Sequence, residues 1–189
     1  MIAMPEAVSR DLWSHGGSQS LRDLLASSLL SLLLIPDETR PVYLSSPWIS
    51  DFVLLDNHFR QFGDLFPERD FQAELRFSEY LAQLSRICQI RIITVRNETS
   101  EAFLRSPLIR DSPQISTRFA PDEHHEKGIL APGFYIQGSM NITYSGVWIR
   151  GEKVVYHCGS IPEAKEKILR AYLEFDRYWD ILSKRAYGE

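Results

Sequence analysis

The run Ile90 to Val95 (IRIITV), in which every residue except Arg91 is β-branched, has the character of a buried strand and needs covering layers around it. Segments that can supply those layers lie on both sides of it. From Ser20 the residues Leu21, Leu24, Leu25, Leu29, Leu32 and Leu33 recur at three- and four-residue spacing, which predicts an amphipathic helix ending before Pro36. Phe71 to Gln89 shows the same spacing through Leu75, Phe77, Tyr80, Leu81, Leu84 and Ile87, and Glu101 to Leu108 reads as a brief helix. Ser160 and Glu163 have capping-box spacing ahead of Ile161, Ala164, Ile168, Tyr172, Phe175, Trp179 and Leu182, one face of a long terminal helix and core by character. Further strands are expected at Pro41 to Ile49, ending near Ser46-Pro47, and at Ser116 to Ala120, Gly128 to Ala131, Phe134 to Gln137 and Val147 to Tyr156, the last broken at Arg150-Gly151-Glu152. Alternating strands and helices predict an α/β/α sandwich with a mixed, largely parallel sheet. Residues 1–19 show no sustained period and read as a loosely held arm; residues 20–189 read as one domain without internal repeat or linker.

Composition removes several function classes. Of 189 residues, 44% are hydrophobic and 24% charged, so disordered and fibrous readings fall away. The net charge of −4 argues against a protein that coats nucleic acid by bulk electrostatics. Residues 1–80 carry 6 basic and 12 acidic side chains, whereas residues 81–162 carry 9 and 7, so a polyanion would be met by the middle of the chain. Cys88 and Cys158 share no CxxC spacing and read as two buried thiols in a reducing, cytoplasmic setting. The Leu-rich helix after Ser20 is short and carries Arg22 and Asp23, so no membrane partner is expected, and no secretory leader is evident.

One stretch carries chemistry. His125 and Lys127 are two residues apart and would share a face of an extended segment, with Glu126 opposite. Gly138, Ser139 and Asn141 follow, and Glu152 comes after them. Ammonium, hydroxyl, amide and turn N–H groups are donors suited to phosphoryl oxygens, and imidazole can attack phosphorus or pass a proton near neutral pH.

His125-x-Lys127 with Gly138-Ser139-x-Asn141 resembles the phospholipase D superfamily signature, and Glu152 stands eleven residues after Asn141, where small nucleases of that superfamily carry an acidic residue that orients the histidine. Two positions depart from the pattern: Pro132 stands where the signature has Asp, and the spacing from Lys127 to Gly138 is one residue short. YLSSPWISD (residues 43–51) and IRIITV are also similar to phospholipase D-like proteins of prokaryotic restriction cassettes that depend on DNA modification, including the 7-deazaguanine kind.

The resemblance implies a phosphodiesterase, a nuclease in particular, that needs no metal or other cofactor. Such a site takes two motifs, and this chain holds one, so the resemblance implies a homodimer with a composite site. His125 would be the nucleophile or acid, Lys127 and Asn141 would hold phosphate oxygens with help from Ser139, and Glu152 would orient the ring. The implied partners are nucleic acid, DNA above all, and other restriction or defence proteins. The alternative is a nucleic-acid-binding or scaffold subunit that uses the same cradle without turnover. A metal set of Asp122, Glu123, His124 and His125 is disfavoured because neighbouring side chains on extended backbone face opposite ways, which leaves them as solvated loop. His157 reads as a core or rim histidine. Ser46, Asp51 and Asn57, following the end of a strand, are further cleft candidates.

Overall fold

The computed structural model describes residues 9–13, 19–56, 65–66 and 74–186. Their elements are β1 (Arg10–Trp13), α1 (Ser20–Leu34), β2 (Val42–Ser45), β3 (Val53–Asp56), β4 (Glu74–Arg76), α2 (Phe77–Leu84), β5 (Ile90–Val95), α3 (Glu98–Leu104), α4 (Pro107–Arg110), β6 (Ile115–Ala120), β7 (Gly128–Ala131), β8 (Phe134–Gly138), a π-helical turn (Ser145–Ile149), β9 (Lys153–Cys158) and α5 (Pro162–Ala186). Seven strands make one sheet in the order β1-β9-β8-β7-β2-β5-β6, and β3 pairs with β4 in a separate ribbon.

The sheet is mixed, as expected, with a smaller parallel part than expected. β2, β5 and β6 run parallel, and β7, β8, β9 and β1 are added antiparallel. Only Pro132 and Gly133 separate β7 from β8, too few residues for the crossover that a parallel pair requires.

Side-chain alternation along the central strands makes the layers. Leu44, Ile90, Ile92, Ile129, Ile136 and Val154 face one core, shared with Leu25 and Leu29 of α1, Leu81 and Leu84 of α2 and Phe103 of α3. Their neighbours Tyr43, Ile93, Leu130 and Tyr135 face a second core, closed by Ile168, Tyr172, Phe175, Trp179 and Leu182 of α5. The terminal-helix stripe read from the sequence is thus packed on the sheet. At the rim of this second core Arg91 Nη1 donates to Tyr43 Oη (2.5 Å) and Asp176 Oδ1 (3.0 Å), and the Tyr43 hydroxyl donates to Asp176 (2.6 Å).

Local chemistry explains the element ends. Ile35 leaves the helical region ahead of Pro36, whose ring excludes an α conformation in the residue before it, and α1 stops. Pro162 opens α5 at a position that needs no N–H donor, and Lys184 and Arg185 suit its carboxyl end. No helix among the described residues is long and apolar enough to cross a membrane.

Five local readings change, the first being that the brief helix expected over Glu101 to Leu108 is two, α3 and α4, separated at Arg105-Ser106 ahead of Pro107. Residues 10–13 of the expected arm form an edge strand on β9, fastened by Lys153 Nζ on Asp11 Oδ2 at 3.0 Å. The expected helix over Phe71 to Gln89 is confined to Phe77–Leu84, because Asp51 accepts the Ser78 N–H and Glu79 accepts the Arg76 N–H, capping the helix at Arg76; Leu75 lies in β4, and residues 71–73 are outside the described residues. Val147 to Ile149 belong to the π-helical turn, not a strand, since Thr143 Oγ1 accepts the Gly146 N–H and starts a helical turn there. Cys88 is buried, whereas Cys158 is only half-buried and lies 3.1 Å from Ser160 Oγ.

The two faces of α5 give a direct check. Phe175→Ala should lower stability by about 3–5 kcal/mol in urea denaturation, whereas Leu173→Ala, at a position 70% exposed, should stay within about 0.5 kcal/mol of wild type.

Candidate active site

The ends of four strands meet at one edge of the sheet. Ser45 closes β2 opposite Gly128, the first residue of the antiparallel β7, so the carboxyl end of β2 lies beside Lys127. The pairing of β7 with β8 continues one step further, with the Gly138 N–H donating to the Lys127 carbonyl at 3.2 Å. On the other side of β8, the Ser139 N–H donates to the Lys153 carbonyl at 2.9 Å, which brings the start of β9, and Glu152 before it, to the same edge. Lys127, Gly138, Met140 and Ile142 come together there with no room between them for a water molecule.

Two glycines allow this convergence. A Cβ on Gly138 would stand 2.1 Å from the Lys153 carbonyl oxygen, and one on Gly146 would stand 2.2 Å from the Asn141 carbonyl oxygen. Any side chain at either place forces backbone apart, so Gly138 sets how closely β8 approaches β9, and Gly146 sets the turn that carries Asn141.

The signature residues are positioned as follows. His125 is exposed in the segment between β6 and β7. Lys127 is half-buried and donates one Nζ proton to the His125 carbonyl at 2.8 Å, which ties the ammonium to the histidine's own backbone and leaves it two further donors. Asn141 Oδ1 lies 3.3 Å from Ser46 Oγ. Ser139 Oγ donates to Glu152 Oε2 at 2.5 Å and accepts the Lys153 N–H at 3.0 Å. A hydroxyl has one proton, so Ser139 braces Glu152, which is 8% exposed, while that bond holds.

The further cleft candidates separate. Ser46 sits inside the site, since its hydroxyl also accepts the Ile142 N–H at 3.1 Å and donates to the Trp48 carbonyl at 2.7 Å. Asp51 does not: its carboxylate accepts from Ser78 N at 2.9 Å and from Arg76 Nε at 2.6 Å, so it caps α2. Asn57 lies outside the described residues.

His124, read from the sequence as solvated loop, is buried. Its Nε2 is 2.9 Å from Ser45 Oγ, its Nδ1 is 3.5 Å from the Tyr178 hydroxyl, and its ring stacks on Tyr178 at 5.7 Å. The signal for this was available, because neighbouring side chains on extended backbone face opposite ways and an outward His125 turns His124 inward. His157 is buried in the sheet, 3.0 Å from Gln137 Nε2. Among the described residues no group of three or more His, Cys, Asp or Glu is arranged to hold a metal ion.

Trp48, Thr99, Asn141, Thr143, Tyr144 and Arg150 also border a cleft of about 450 Å³. Of these only Asn141 was singled out in the sequence, since Thr99 lies in the first turn of α3 and the rest fall in loops or beside the π-helical turn, where side-chain direction follows no long period.

Burial, with smaller contributions from the Lys127 and His125 charges, holds the His124 imidazole below the ordinary histidine range. As pH drops, the unfolded chain therefore takes up this proton before the folded one. The stability that His124 contributes is complete above about pH 6.5 and is lost as pH falls through its lower folded value. Urea midpoints should decline on acidification below that point, and His124→Gln should flatten the decline; an equal slope in the variant assigns it to other groups.

No protein-family model and no curated protein sequence matches the chain. Solved structures do. NucT from Helicobacter pylori aligns over 93% of this chain and 96% of its own at 13% identity and a TM-score of 0.51. Nuc from Salmonella typhimurium, described as a phospholipase D family member, aligns over 88% of this chain and 91% of its own at 16% identity and a TM-score of 0.52. Phosphatidylserine synthase from Haemophilus influenzae is similar over 89% of this chain and 38% of its own at 12% identity and a TM-score of 0.52. The chain has the fold of the phospholipase D family member Nuc.

Proposed function

We propose that this chain is a phosphodiesterase of phospholipase D type, acting as a nuclease without a metal ion at a site shared by two copies of the chain. The observation that carries this reading is the meeting of Lys127, the Gly138-Ser139 strand end and Asn141 at one sheet edge beside an exposed His125, in a fold shared with Nuc and NucT over most of each chain.

The chemistry follows from the residue types. A His125 ring nitrogen forms a bond to phosphorus as a P–O ester bond breaks, and the departing oxygen takes a proton from His125 of the partner subunit. That second imidazole then removes a proton from water, whose oxygen bonds to phosphorus and expels the first His125. Lys127 and Asn141 from both subunits hold the nonbridging oxygens and offset the charge that builds on them, doing electrostatic work a metal ion does elsewhere. Glu152, held in place by Ser139, serves to orient the His125 ring.

The finer reading, a DNA nuclease working with other restriction or defence proteins, rests on the resemblance of YLSSPWISD and IRIITV. A second reading, a binding subunit that grips phosphates without turnover, is favoured by Pro132 at the signature's Asp position and by the commitment of the Ser139 proton to Glu152.

Cleavage of oligonucleotides in excess EDTA separates these readings. The nuclease reading expects activity to persist there and to fall at least roughly a hundredfold in His125→Ala. In mixtures of co-refolded wild-type and His125→Ala subunits, activity should follow the square of the wild-type fraction, since one site needs two histidines. Loss of activity in EDTA, or a linear dependence on that fraction, overturns the metal-free or the shared-site part respectively. DNA binding without cleavage, weakened by Lys127→Ala, selects the binding subunit.

A further inference from the structure

The cleft beside Asn141 has features the phosphodiester chemistry does not use. Two large aromatic side chains border it and are exposed, Trp48 at 46% and Tyr144 at 52%. Tyr144 packs in an offset, near-parallel contact with Trp148 (centroids 6.1 Å apart, planes 22° apart), and the Arg22 guanidinium lies over the Trp148 ring system at 4.5 Å. Trp148 is pinned in turn by its indole N–H, which donates to the Val53 carbonyl at 3.1 Å. A ring supported in this way loses little freedom when a second flat group is laid on it, which favours binding. On the other aromatic side, the Trp48 carbonyl accepts the Ser46 hydroxyl, the same hydroxyl that contacts Asn141, so Trp48 is held in register with the signature residue.

The charge around the cleft is also selective. Arg150 is the one charged side chain among the described residues lining it, and the remaining side-chain polar groups are hydroxyls, the Asn141 amide and the Trp48 indole N–H. A guanidinium at the border of the cleft has donors that can meet a phosphate oxygen. At about 450 Å³ it falls in the range of small-ligand sites, suited to one nucleotide unit rather than a duplex.

We propose that this cleft is a subsite for one unpaired nucleotide of the substrate strand, with the base laid against Trp48 or Tyr144 and its phosphate drawn by Arg150, next to the phosphodiester held at Asn141. The inference rests on the nuclease reading and adds a preference that the signature residues cannot provide: a single strand or an opened end over an intact duplex, whose bases are already stacked on one another. Base identity should matter little, because every base offers a π face to an aromatic ring.

Binding rather than cleavage tests it, so that its failure is distinct from failure of the catalytic reading. The full chain carrying His125→Ala is titrated, by fluorescence anisotropy, with a labelled single-stranded oligodeoxynucleotide, its duplex and an abasic sugar-phosphate strand of the same length. The single strand should bind at least about fivefold tighter than the other two, the lower end of what one base–ring contact contributes. Trp48→Ala or Tyr144→Ala should weaken single-strand binding roughly 5- to 150-fold and leave the abasic strand unaffected, with Tyr144→Phe retaining affinity. Arg150→Ala should weaken all three probes and lower the salt dependence by about one phosphate contact. Circular dichroism melts of each variant confirm folding, which the exposure of both rings favours. Equal affinity for the abasic and normal strands, or ring deletions without effect, overturns the subsite and leaves the nuclease reading standing. Absence of binding to every probe, together with absence of cleavage by wild type, overturns both.

Discussion

Two consecutive serines at the end of one buried strand hold the site together. Ser45 and Ser46 follow the alternation of β2, so they reach in opposite directions. Ser45 bonds His124, which stacks on Tyr178 of α5, and thereby fastens the segment that carries His125 and Lys127. Ser46 bonds Asn141 and the Ile142 N–H, and thereby fastens the turn after β8. Residues about 95 positions apart in sequence, 46 and 141, are in contact because β2 sits between the β5–β6 half and the β7–β9 half of the sheet. The position of β2 depends on both cores, Leu44 in one and Tyr43 in the other, each fully buried.

The same geometry explains why the chain can share a fold with Nuc at 16% identity. Layered packing requires apolar side chains at alternating strand positions and along one helix stripe, and many apolar residues of suitable volume meet that demand. Where atoms meet at contact distance the tolerance disappears. Gly138 against the Lys153 carbonyl and Gly146 against the Asn141 carbonyl admit no other residue without moving backbone, and both lie within the segment that carries the phosphate-type donors. The result is an edge where Lys127 and the Gly138-Ser139 strand end are held by main-chain pairing with their neighbours.

Much of the fold was legible, and for definable reasons. Ile90–Val95 matched to the residue, because a strand buried on both faces has little freedom in composition. The α5 stripe was legible because 3.6-residue spacing persists over seven turns. The strand in residues 10–13 was not, since an edge strand with a mainly exposed burial pattern carries no apolar alternation and is stabilised by its partner β9. Leu75 fitted a helical pattern, yet the Asp51 carboxylate, far away in sequence, determines where that helix begins. Of the candidate residues, the signature pointed to His125, Lys127, Ser139, Asn141 and Glu152 from local spacing alone, while the contacts of Asp51 make it a helix cap and those of His124 bury it against Ser45 and Tyr178.

By itself, the sequence determined the layer order of the sandwich, the helical and strand identity of its central segments and the chemical types gathered at the signature, because periodicity and residue chemistry are local properties. Only the tertiary structure decided which strand ends meet, that the Ser139 proton lies on Glu152, and that Trp48, Tyr144 and Arg150 share a cleft with Asn141. Those relations are set by sheet order and by carbonyl oxygens a few ångströms from glycine backbones. They are distances between segments remote in the chain, and no short window of residues contains them.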